Sequence, residues 1–196
     1  MQETDNKQSV ARSFKRPLLA GVLATATATA IATPAPALAE TFLRLGDIKG
    51  ESTDAKHKDE IEVLSFTQSW TNTGGTVGGG GSAAGKVQCG AITVMKNIDR
   101  ASPLLLKAVA TGEHIKDGLI TFRTEGGRTL EYYTVKLANV IVTELTQTDT
   151  PDPNRIMEKL VLNAGKFEYE YRPLNAKGGL GTPVRFGWDC VANKAG

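Results

Sequence analysis

The sequence predicts a mainly β domain, an antiparallel sandwich or barrel with one short helix. Three observations carry this. Apolar residues recur with period two through most of residues 41–190, the phase of that alternation breaks near glycines, and a single segment carries helix-boundary chemistry. Units of strand, helix and strand would instead alternate two periods along the chain.

The first predicted strand is Thr41–Leu45, with Phe42 on one side and Leu43 and Leu45 on the other. Ile61 and Val63, then Leu64, Phe66 and Trp70, form a second run with a change of phase. Val87 and Cys89 precede Ile92 and Val94 across Gly90, where a bulge is expected because glycine tolerates the dihedrals a bulge needs. Ile120 and Phe122 mark a further strand, Glu125-Gly-Gly127 a turn, and Leu130–Leu145 a long β-branched and aromatic run. The stretch Arg155–Tyr171 shifts phase at Ala164-Gly165, with Leu160 and Leu162 before it and Phe167, Tyr169 and Tyr171 after it. Val184, Phe186, Trp188 and Cys190 alternate in the last strand.

The helix is expected over Ser102–Gly112, with serine as N-cap, Pro103 at the first helical position and glycine at the end. It is too short to stand alone and must pack on the sheet. Two long loops remain, Thr71–Lys86 and Thr148–Asn154. The first is rich in glycine and uncharged until Lys86, as suits a segment that is either mobile or ordered only by a partner.

Residues 1–39 read as a cleaved export signal. A polar n-region ends in Arg12, Lys15 and Arg16, an uncharged apolar tract follows, and Ala37-Leu38-Ala39 has the small–x–small form of a signal-peptidase site. The expected cut falls between Ala39 and Glu40 and leaves one domain, residues 40–196, with no membrane segment of its own. The four threonines and following prolines make the tract a poor membrane span. The leader's four basic and two acidic residues account for the whole net charge of +2, so the mature part has 19 of each sign and is neutral. A nucleic-acid surface would need a clustered basic excess, and none is present.

Catalytic and cofactor signatures are absent. Gly80-Gly-Ser-Ala-Ala-Gly85-Lys86 imitates part of a phosphate-binding loop, but Val87 stands where a magnesium-binding hydroxyl belongs and a strand follows in place of a helix. His57 and His114 sit in polar, loop-like surroundings and read as solvated rather than as metal ligands. No G-x-S-x-G elbow or nucleophile–base set appears, so no catalytic, metal or cofactor residue is assigned. The stripe Phe167, Tyr169, Tyr171 reads as core or interface packing.

The order of motifs resembles the haemolysin-coregulated protein (Hcp) family. The resemblance rests on Phe42-Leu-Arg-Leu-Gly-Asp-Ile-Lys-Gly-Glu-Ser52, Asp59-Glu-Ile-Glu-Val-Leu64, the glycine loop closing in Gly85-Lys-Val87, Ile98-Asp-Arg-Ala-Ser-Pro103, Gly112-Glu-His-Ile115 and Arg185-Phe-Gly-Trp188. It implies a closed, barrel-like antiparallel β-sandwich with one flanking helix. It also implies a hexameric ring that stacks into the inner tube of the type VI secretion machine, carries effectors and meets the valine–glycine repeat spike. A stacking or subunit-contact role then falls on Thr73, Gly74, Gly75, Gly78, Gly79, Gly80, Gly81 and Lys86.

Typical members of that family begin almost directly at the strand matching Thr41–Leu45 and need no leader. The leader here implies a secreted or periplasmic protein. Either it remains a non-catalytic tube subunit, or it is an exported binding protein that keeps the fold without the tube. Cys89 and Cys190 belong to the same question, since an even pair in an exported chain suggests a disulfide while two buried thiols suit the cytoplasm.

Overall fold

The computed structural model describes residues 40–72, 86–124, 129–152 and 156–196. The elements are β1 (Glu40–Leu45), β2 (Ile61–Val63), β3 (Ser65–Asn72), β4 (Val87–Asn97), α1 (Ser102–Thr111), β5 (His114–Thr124), β6 (Leu130–Asp149), β7 (Ile156–Tyr171), β8 (Val184–Asp189) and β9 (Lys194–Ala195). Every ladder is antiparallel. The path runs β2-β1-β5-β6-β7-β4-β3, with β8 on β7 and β9 on β8. No helix among the described residues is long and apolar enough to cross a membrane.

The predicted closure takes a different form. No ladder joins the end strands β2 and β3 among the described residues, so the sheet is sandwich-like rather than a hydrogen-bonded barrel. The two are consecutive in the chain. Backbone passes from pairing with β1 to pairing with β4 at Leu64, whose N–H donates to the Met95 carbonyl at 2.7 Å. A strand that changes partners makes a corner without a closed ladder. The change of phase after Val63 is this corner, and it turns Leu64 out to solvent.

The expected bulge lies where Gly90 was singled out. Gln68 pairs with Ile92 and Trp70 with Cys89, so Gly90 and Ala91 together face Ser69. A Cβ at Gly90 would sit 2.0 Å from the Ser69 carbonyl oxygen. The shift at Ala164-Gly165 is not a bulge, because β6 and β7 stay in register from Tyr133↔Tyr171 to Val142↔Leu162. Both strands change their buried parity together, from Val135, Leu137 and Phe167 to Val140, Val142, Leu160 and Leu162. Asn139, at φ 59°, stands beside Gly165 at this crease.

Helix α1 begins and ends as the sequence implies, but its cap differs. Ser102 is the first helical residue, and the N-cap position is Ala101, which makes no side-chain cap bond. The Ser102 hydroxyl turns inward to Glu158 at 2.6 Å, and Asp99 accepts from the Ala101 N–H at 3.0 Å. Gly112 ends the helix at φ 63°, the left-handed conformation glycine adopts without steric penalty. Leu105 and Ala108 pack into the core with Leu43, Leu45, Ile61, Ile92, Ile120, Val140 and Leu160. The second predicted loop is shorter than expected, since β6 runs to Asp149 and β7 starts at Ile156. The Glu125–Gly127 turn and most of the glycine loop lie outside the described residues.

Candidate assembly surfaces around the β4–β8 fork

β7 has one neighbour on one edge and two on the other. Its first half pairs with β4 from Met157↔Asn97 to Leu162↔Ile92, and its second half pairs with β8 from Lys166↔Asp189 to Tyr171↔Val184. Between Leu162 and Lys166 the sheet forks. The first five residues of β4 leave β7 and stay with β3, while β8 stays with β7.

Cys89 and Cys190 bridge this fork as a disulfide, with Cα atoms 6.1 Å apart and 101 positions between them. That separation is within the range a disulfide spans. A second link crosses the fork where the Val87 N–H donates to Asn193 Oδ1 at 3.2 Å. Beside these links lies an apolar slot of about 280 Å³, lined by Trp70, Thr71, Asn72, Val87, Phe186 and Trp188.

The aromatic stripe lies here too, as packing. Tyr169 stacks with Phe167 and Phe186, and Phe186 with Trp188, at centroid distances of 6.2–6.3 Å. The Trp70 indole donates to the Tyr169 hydroxyl at 3.0 Å, which donates to Gln68 Oε1 at 2.7 Å. Burial pushes the Tyr169 phenol up to about 12. Tyr171 is exposed at the end of the stripe.

In β8 the alternating apolar positions Val184 and Phe186 face outward, 66% and 52% exposed. Across the charged face of β1, β5, β6, β7 and β8 runs a cleft of about 700 Å³, reaching from Arg44 and Asp117 past Lys136 and Glu168 to Phe186 and Trp188. Its charges are paired: Arg44 with Asp117 at 2.8 Å, Lys136 with Glu168 at 2.9 Å and Lys166 with Asp189 at 2.9 Å. The first two pairs are exposed and contribute little stability, while Asp189 of the third is buried; together they prescribe the charge pattern a partner must match.

Of the residues read as functional from sequence, the disulfide pair is brought together. Glu40 opens β1 opposite Arg123, which donates to its carboxylate at 2.6 Å. Lys86 leads into β4 and is exposed. Ala39 and the residues Thr73, Gly74, Gly75, Gly78, Gly79, Gly80 and Gly81 lie outside the described residues.

Two features escaped the sequence reading. His57 is buried, not solvated. It stacks on Phe42 at 4.3 Å, with Nδ1 3.0 Å from Glu60 and Nε2 lacking a hydrogen-bond partner. The loop after β1 folds back to place it, with Gly50 donating to the Asp59 carbonyl at 2.8 Å and Asp59 to the Ser52 carbonyl at 2.9 Å. Arg123 lies 4.7 Å over the Phe42 ring and bonds Asp54 at 2.7 Å, holding the Asp54 carboxyl down at about 2. His114 is exposed as expected. The second missed feature is a buried ion pair. Lys96 and Glu158 face each other across β4 and β7, fully buried, at 2.6 Å.

No cluster of three or more metal-binding side chains occurs among the described residues. A family model described as "Type VI secretion system effector, Hcp" matches residues 42–171. Protein hcp1 of Pseudomonas aeruginosa is 33% identical over 156 residues, covering 79% of this chain and 96% of the relative. A solved type six secretion system protein matches with a TM-score of 0.76 at 28% identity, over 81% of this chain and 100% of its own. Hcp1 from Salmonella typhimurium matches with a TM-score of 0.63 at 30% identity, over 80% of this chain and 98% of its own. The chain belongs to the Hcp family of type VI secretion proteins.

Proposed function

We propose that this chain is an exported, non-catalytic ring subunit of the Hcp type. In this reading residues 1–39 direct export and are cut after Ala39, and residues 40–196 assemble as a homo-hexamer that stacks into a tube. Effector cargo and the valine–glycine repeat spike are its further partners. The observation that carries the reading is the family match across 42–171, on a domain that leaves Val184 and Phe186 exposed along its last long strand. Rings of identical subunits close through heterologous contacts, in which one patch meets a different patch on the next copy. The 19 basic and 19 acidic residues of the mature chain let copies approach without net repulsion.

The cleft of about 700 Å³, with Phe186 and Trp188 at one end, favours one alternative: an exported binding protein that keeps the fold without the tube. One preparation separates the two. The full-length chain is expressed with its leader and recovered from the periplasm or medium. N-terminal sequencing should read Glu40, and native mass spectrometry should give six times the subunit mass. A periplasmic monomer beginning at Glu40 would reject the ring and retain the binding protein, while an intact Met1 on a cytoplasmic hexamer would reject export and retain the ring.

A further inference from the structure

We propose that the Cys89–Cys190 bond is a redox latch on the β4–β8 fork: oxidised, it holds the tip of β3 and β4 against β8, and reduced, that tip opens and exposes the apolar slot. The inference does not depend on the ring. It follows from what else holds the tip.

Residues 87–91 of β4 lie beyond its ladder with β7, which begins at Ile92. Their strand partner is the end of β3, through Trp70↔Cys89, Thr71↔Gln88 and Asn72↔Val87. β3 pairs with β4 and with no second strand among the described residues. The tip is therefore a two-stranded ribbon, and such a ribbon is marginally stable by itself. The Gly90–Ala91 bulge interrupts the ladder at the ribbon's root. Non-covalent ties across the fork include the bond from Val87 to Asn193 and the Trp70 indole, which donates to Tyr169 and packs on Phe167; the disulfide is the one covalent tie among the described residues. Cys190 is anchored on the far side, since its N–H donates to the Gly165 carbonyl at 2.9 Å.

Closing the latch removes two protons and two electrons from the two thiols. One cysteine thiolate attacks a disulfide-bearing oxidant, whose S–S bond breaks and releases a thiolate. The second cysteine then attacks the mixed disulfide, releasing the oxidant's other thiolate and leaving the Cys89–Cys190 bond. The oxidant ends as a dithiol. Both cysteines are only partly buried, so the exchange needs no global unfolding.

The chain's two tryptophans, Trp70 and Trp188, stand on opposite lips of the slot and report on it directly. The experiment compares the oxidised full chain with the same protein reduced by a small dithiol. It reads tryptophan emission and residue-resolved amide hydrogen exchange under native conditions. Emission should shift to the red on reduction. Amides of residues 70–72 and 87–89 should exchange faster by a factor at least about tenfold larger than those of Val135 and Leu162, as local opening requires. Asn193→Gly keeps the positive φ of 51° and removes the second link. It should accelerate tip exchange further in the reduced protein and change it little in the oxidised one. Tip and core amides accelerating by one common factor would overturn the latch, since the bond would then act only by constraining the unfolded chain. Unchanged emission with unchanged tip exchange would overturn it as well.

Discussion

Lys96 stands where the alternation of Ile92 and Val94 asks for a third apolar side chain, and Glu158 does the same after Leu162 and Leu160. Both charges are completely buried, which is tolerable only because their bonds are nearly saturated. The Lys96 ammonium reaches Glu158 at 2.6 Å, Asp99 at 2.7 Å, the Asn97 carbonyl at 2.7 Å and Ser102 at 3.1 Å. Gln147 donates to the other oxygen of Glu158 at 2.8 Å. Burial alone raises the Glu158 carboxyl, but the bonds from Lys96, Ser102 and Gln147 outweigh it and hold it below the ordinary range. Lys96→Met or Glu158→Leu alone leaves an uncompensated buried charge and should cost about 3–5 kcal/mol in denaturant unfolding, while the double variant should lose far less. A second test uses Asp54, whose carboxyl is held at about 2 by Arg123. A lowered carboxyl stabilises the fold above its unfolded value of 3.8, and that contribution disappears as pH falls through about 2. Arg123→Gln should therefore be less stable than the parent near neutral pH, and the gap should narrow through the acid range in a pH series of melts. None of this was legible in sequence, because Lys96, Glu158 and His57 look like surface residues until distant elements cover them.

At the scale of elements, glycine made the sequence readable. Its absence of a Cβ is a local property, so the β4 bulge at Gly90 and the helix end at Gly112 could be placed without knowing their neighbours. The two positions make opposite demands. An added Cβ at Gly90 meets the Ser69 backbone at 2.0 Å, whereas at Gly112 nothing lies within 4 Å and only the positive φ resists. Gly90→Ala should shift or break the β3–β4 ladder, at a cost of about 1–3 kcal/mol or more from overpacking. Gly112→Ala should cost about 1–2 kcal/mol from left-handed strain alone and leave the ladder intact. Thermal melts rank the two, and amide exchange across Trp70↔Cys89 tells which one has disturbed the sheet. The α1 cap was misread because a serine before proline is a good cap by local rules. Here a buried carboxylate 56 residues further on competes for the same hydroxyl. The outward turn of Val184 and Phe186 was equally invisible, since period two identifies a shared face but not what covers it.

For the whole molecule, the antiparallel architecture was readable because period two survives in nearly every strand, while the open ladder path depends on the partner switch at Leu64, which no local signal announces. The same fork that leaves the ladder open places Cys89 and Cys190 in reach of each other, so the thiols should report the compartment the chain has passed through. Exported with its leader, the protein should carry no titratable thiol when unfolded without reductant. Residues 40–196 made in a reducing cytoplasm should carry two per chain. In the chain-entropy view, a closed loop of about 100 residues restricts the unfolded state by up to about 4.7 kcal/mol. For a domain of this size each kcal/mol moves the melting temperature by about 2–4 °C, so the cytoplasmic form should melt lower by as much as about 10–20 °C. Oxidising it in vitro should restore the higher value. Two free thiols in the exported protein, or equal melting temperatures for the two forms, would separate the cysteine pair from export and leave the leader without support from the fold.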